Sequence, residues 1–167
     1  CNLTAFGLFT SLARRGILAD AAMSSAGGEL IDAETLAPYR LVILGARQYT
    51  RDHAGVPDVL ERYVREGGSL LLPLADPTGL RDEYLKRRET PALQRLASGR
   101  LLGRSENNAM ERIESESLTL PAAWELQMDE PAHLTEVEPD GDAEVLARAD
   151  GKPLLYRHSL GDGLVYV

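Results

Sequence analysis

Residues Leu60 to Leu72 read LERYVREGGSLLL. Leu60, Tyr63 and Val64 fall on one face of this stretch with charged side chains between them, the pattern of a helix lying on a sheet. Gly67 and Gly68 stop the helix, and Ser69 to Leu72 continues as a short, unbroken apolar strand. Upstream, Tyr39 to Gly45 reads YRLVILG, a second apolar strand. The two strands are too far apart for a hairpin and well spaced for a helical crossover, so together they form a β-α-β unit. Strands apolar on both faces belong to an open parallel sheet, and such sheets carry ligands or active sites at the carboxyl ends of their strands.

Outward from this unit, Asn2 to Arg15 places Leu3, Phe6, Leu8, Phe9 and Leu12 at roughly helical spacing, with Gly16 as a stop. Ile17 to Ala22 reads as a short strand, Ile31 to Leu36 as a helical turn and Arg40 to Leu44 as the first apolar strand. Val56 to Glu66 is the crossover helix. Ser69 to Leu74 is the strand after it, closed by the turn signal Asp76-Pro77-Thr78-Gly79. Pro91 to Leu96 reads as a short helix before a polar, irregular stretch around Asn107 and Asn108. From Pro131 the texture changes. His133 to Val137, Glu144 to Ala149, Leu154 to His158 and Leu164 to Val167 are short strand-like runs. Pro139-Asp140-Gly141-Asp142, Asp150-Gly151 and Gly161-Asp162-Gly163 separate them, and turns this close imply antiparallel hairpins.

A chain of 167 residues is about one domain, large enough to bury roughly 68–70% of its unfolded surface. The single cysteine, Cys1, forms no internal disulfide. With 18 Lys and Arg against 26 Asp and Glu, the net charge of -8 opposes phosphate backbones and argues against a nucleic-acid partner. No apolar run approaches the ~20 residues that span a bilayer, and no leader is recognisable, so no membrane role and a cytoplasmic location are expected. A start at Cys1 without Met, and a close within the apolar run Leu164 to Val167, lead us to expect one domain, residues 1–167, excised from a larger protein.

Three phrases taken together, YRLVILG (Tyr39 to Gly45), LERYVREGGSLLL (Leu60 to Leu72) and DGKPLLYRHSLGDGLVYV (Asp150 to Val167), resemble the class I glutamine-amidotransferase-like domains. The resemblance is greatest to the trimerisation domain of A-type bacterial β-galactosidases. It implies a flavodoxin-like α/β fold, a parallel sheet with helices on both faces and a β-rich antiparallel carboxyl end. It also implies a first apolar strand that this chain lacks. Glutamine amidotransferases place a cysteine on a strained turn after the strand that follows Gly-Gly, with a histidine and a carboxylate downstream. Here that turn holds Leu74, Ala75 and Asp76, with neither thiol nor hydroxyl. In the resembled enzymes the catalytic carboxylates belong to a (β/α)8 barrel that precedes the domain.

The remaining chemistry-bearing residues are sparse. His53, His133 and His158 lie in separate elements with no two at i and i+4, so no metal site is expected; His158, before the Gly161-Asp162-Gly163 loop, is the one set apart. Asp140 to Glu144 lacks the twelve-residue pattern of a calcium loop and reads as a hairpin turn. Gly161-Asp162-Gly163 is flanked by strands, with no helix amino terminus to receive a phosphate, and also reads as a turn. Glu111, Glu114 and Glu116 form a solvated acidic run rather than a glycosidase pair. Arg47, Gln48, Tyr49 and Arg51 follow the first strand at the crevice end and are candidates for contact with a neighbouring domain or protomer, with an ordinary solvated loop as the alternative. Trp124 either anchors an interface or closes the core.

The expectation is a non-catalytic accessory or oligomerisation domain of a β-galactosidase-type glycoside hydrolase. It has no catalytic residues and no cofactor, a carbohydrate as the parent's substrate, and its own catalytic barrel and neighbouring protomers, as a homo-oligomer or trimer, for partners. The alternatives are a small-molecule enzyme using Asp76 or His158 at the same crevice, and a ligand-sensing domain.

Overall fold

A computed structural model gives the architecture, describing residues 3–20, 31–44, 55–72, 95–104, 113–115, 117–118 and 135–167. Among the described residues three helices, α1 (Leu3–Arg14), α2 (Ala33–Leu36) and α3 (Val56–Arg65), accompany eight strands. The strands are β1 (Leu41–Ile43), β2 (Ser69–Leu71), β3 (Gly99–Arg104), β4 (Ile113–Glu114), β5 (Thr135–Pro139), β6 (Glu144–Ala149), β7 (Lys152–Leu160) and β8 (Gly163–Tyr166). Six of them form one sheet in the order β1-β2-β8-β7-β6-β4, and β3 and β5 form a separate two-stranded ribbon.

The sheet is mixed. β1, β2 and β8 run parallel, whereas β8-β7, β7-β6 and β6-β4 are antiparallel. A parallel sheet with antiparallel hairpins at its end was expected, and the parallel part and the β6-β7 and β7-β8 hairpins are present. The turn at Asp140 to Asp142 closes no hairpin, because β5 pairs with the remote β3 and the turn passes from that ribbon into the larger sheet. The finding beyond that expectation is the junction of the parallel and antiparallel parts: β8 belongs to both, hydrogen-bonded to β2 on one side and to β7 on the other.

Local chemistry explains why α3 forms and where it stops. Pro57 sits in the first turn with Asp58, and Arg62 and Arg65 occupy the last turn, matching the missing amide of proline and the helix dipole. Gly67 takes a φ of 103°, the left-handed geometry that ends a helix, and the Gly67 and Gly68 amides donate to the Val64 and Tyr63 carbonyls. The apolar stripe Leu60, Tyr63 and Val64 then packs on Leu70, Leu72, Val165 and Val167 to make the core. Leu36 of α2 and Leu96, Ala97 and Val137 complete it, so the β3-β5 ribbon shares this core through Val137. At α2, Asp32 caps the helix, accepting the Thr35 amide at 2.7 Å, and these hydrogen bonds from Thr35 hold its carboxyl below the usual carboxylate range.

The carboxyl end of α3 rests directly on the β7-β8 turn. A β-carbon at Gly163 would stand 2.2 Å from the carbonyl oxygens of both Gly68 and Val64, and one at Gly161 would stand 2.7 Å from the Arg65 Cα. Asp162 and Leu164 donate their amides to the Arg65 and Gly68 carbonyls. The Gly161-Asp162-Gly163 sequence is therefore a turn, as expected, and its glycines make room for a helix end.

Several expectations shift. Ile17 to Asp20 forms no strand; Leu18 is 99% exposed, with no strand partner among the described residues. Neither β3 nor β4 was anticipated. Of the expected short helix at Pro91 to Leu96, Arg95 to Ala97 is helical. Helices on both faces were expected; among the described helices the one in firm contact with the sheet is α3, with α2 packed beside it.

Candidate functional site

The parallel strands β1, β2 and β8 deliver their carboxyl ends at Leu44, Leu72 and Val167. Leu72 and Val167 are buried core residues and Leu44 packs against them, so the described floor of the crevice is hydrocarbon. Hydrocarbon offers shape and packing but neither nucleophile nor acid.

Polar groups enter from the adjoining strand. Tyr156 and His158, two apart on β7, share one face, because successive side chains alternate. Both reach the helical turn at Arg95 to Ala97. The Tyr156 hydroxyl donates to the Ala97 carbonyl at 2.9 Å, and Nε2 of His158 donates to the Leu96 carbonyl at 2.7 Å. Nδ1 of His158 lies 3.2 Å from the Ser159 carbonyl. Two adjacent backbone acceptors are thereby satisfied within the core, where an unpaired carbonyl is costly. Burial pushes the Tyr156 hydroxyl well above the usual tyrosine range and the charge of Asp140 adds to it, so the group persists as a proton donor.

His158 is the one buried polar or charged residue among those described. Its ring is occupied by backbone, which fits a structural part. Tyr63, buried in α3, plays a similar role, donating to the Tyr39 carbonyl at 2.8 Å and so tying α3 to the approach to β1; burial raises its hydroxyl. Tyr39 in turn donates to Asp20 at 2.9 Å, and that carboxylate raises the phenol above its ordinary range.

At the open side of the sheet, the Leu44 amide donates to the Leu71 carbonyl at 3.0 Å and Ser69 donates to the Arg40 carbonyl at 3.1 Å. Residues 40, 42 and 44 therefore turn their polar backbone toward β2. Alternation sends the N–H and C=O of Leu41 and Ile43 outward. Among the described residues β1 is the last strand on this side, with Leu41, Ile17 and Leu18 all exposed.

The interface candidates Arg47, Gln48, Tyr49, Arg51 and Trp124 lie outside the described residues, as do Asp76, His53, His133, Glu111 and Glu116. Glu114 is on β4 and exposed. Among the described residues no three of His, Cys, Asp and Glu converge as a metal site would require, and no helix is long and apolar enough to cross a membrane. The Tyr156-His158 pair with its two carbonyls escaped the sequence reading. In the sequence His158 was set apart only for its place before the Gly161-Asp162-Gly163 loop; the i, i+2 spacing of two polar aromatic side chains in an apolar strand is the signal that could have found the pair.

No protein-family model matches the sequence, and no curated protein matches it. Solved structures do resemble it. The cytoplasmic protein STM3548 from Salmonella typhimurium superposes with a TM-score of 0.64 at 18% identity, over 97% of this chain and 73% of that one. A ThuA-like protein from Bacteroides uniformis gives 0.55 at 15% identity, over 97% of this chain and 72% of that one. A beta-galactosidase from Bacillus circulans sp. alkalophilus aligns at 0.48 and 18% identity, over 76% of this chain and 18% of that one, an overlap too weak to carry an argument. The first two likenesses establish that this α/β architecture, β-rich at its carboxyl end, is a fold shared with proteins of very different sequence.

Proposed function

We propose that this chain is a non-catalytic accessory domain of a larger glycoside hydrolase of the β-galactosidase type, supporting contact with its catalytic barrel and neighbouring protomers. On this reading the fold is the flavodoxin-like, class I glutamine-amidotransferase-like one. The observation that carries it is the chemistry of the strand ends. Leu44, Leu72 and Val167 are apolar, and the buried Tyr156 and His158 beside them are engaged by the Ala97 and Leu96 carbonyls. A crevice of this composition favours packing over group transfer. The sequence phrases around Leu60 to Leu72 resemble that family, and Leu74-Ala75-Asp76, which follow in sequence, carry no thiol or hydroxyl.

Within this reading, Arg47, Gln48, Tyr49, Arg51 and Trp124 remain the contact candidates. An apolar strand of the parent chain, the first strand of the fold, adds to the outer edge of β1, where Leu41 and Ile43 direct their backbone groups away from β2. Deleting residues 1–167 from the parent enzyme and weighing the product by light scattering tests the proposal. A smaller oligomer that retains glycosidase turnover is expected; an unchanged oligomer removes the assembly role. Turnover of a small molecule by the isolated chain, abolished by Asp76→Ala or His158→Ala, would instead make it an enzyme.

A further inference from the structure

We draw no further inference here: the strongest candidate, the outer edge of β1 with the exposed Leu41, Ile17 and Leu18 around it, belongs to the strand addition already proposed, and nothing in the structure shows any other occupant.

Discussion

Gly163 passes so close beneath α3 that a β-carbon built on it would stand 2.2 Å from the carbonyl oxygen of Val64, and equally close to that of Gly68. Both obstacles are main chain. A side chain in their place could swing aside; a helix end and the start of β2 cannot move without disturbing Tyr63 and Leu70 in the core.

Gly163→Ala should therefore destabilise the fold by about 3 kcal/mol, the upper range for overpacking, because no rotamer change relieves the clash. The urea midpoint measures it. Gly141→Ala is the control, since nothing lies within 4 Å of a β-carbon there, and it should shift stability by less than about 0.5 kcal/mol. Equal effects at the two positions would overturn the packing argument.

Tyr156→Phe removes the hydroxyl that satisfies the Ala97 carbonyl and should cost about 1–3 kcal/mol at neutral pH. Its alkaline behaviour should change as well. The folded hydroxyl holds its proton more tightly than the unfolded one, so between the two pKa values the folded state binds more protons. Stability from this group is complete below about pH 10, the unfolded value, and falls as pH rises beyond it. Denaturation midpoints taken from pH 8 to 11 should decline less steeply in Tyr156→Phe than in the parent chain; matching slopes would contradict the assignment.

Because Tyr156 and His158 hold adjacent carbonyls of one turn, their losses should not add. Once His158→Ala frees Leu96, the turn can lift and part of what Tyr156 contributes has already gone. In a double-mutant cycle the combined loss should fall short of the sum by at least about 0.5 kcal/mol. Strict additivity would mean that the two bonds act on independent segments.

Hydrogen exchange should resolve the two sides of β1. The Leu44 amide, bonded to Leu71, should exchange slowly in the isolated chain, while the outward amides of Leu41 and Ile43 exchange on the order of 100-fold faster. In the parent enzyme all three should be slow if a strand adds there. Fast exchange at Leu41 and Ile43 in both would remove the strand addition and leave the fold untouched.

What was legible in the sequence was what neighbouring residues decide for themselves. The one-sided stripe of α3, its Gly67-Gly68 stop and the hairpin around Asp150-Gly151 are set within a few residues, and they stand where periodicity placed them. The turn at Asp140-Gly141 is also present, but what it joins, the β3-β5 ribbon and the larger sheet, is decided by remote pairing. β3 was missed because its partner is remote: Gly99 pairs with Pro139 and Arg104 with Thr135, and a register shift between Leu101 and Gly103 breaks the alternation that would have marked it. Ile17 to Asp20 has a strand's composition but no strand beside it among the described residues, and composition alone cannot supply a ladder. The spatial role of Gly161 and Gly163 was hidden for a related reason. A turn glycine and a glycine cleared for a passing helix look identical until the helix is in place. The same holds for Tyr156 and His158, whose carbonyl partners lie 59 and 62 residues away.

The position of β8 bears on how the chain folds during synthesis. It is the last of the eight described strands to be made, yet it is the only described seam between the parallel half, β1 and β2, and the antiparallel half, β7, β6 and β4. Until residues 163–166 leave the ribosome, β2 and β7 each present an open edge, and α3 lacks the Val165 surface on which it rests. The two halves are joined through a pairing between strands more than 90 residues apart, a non-local contact of the kind that slows folding.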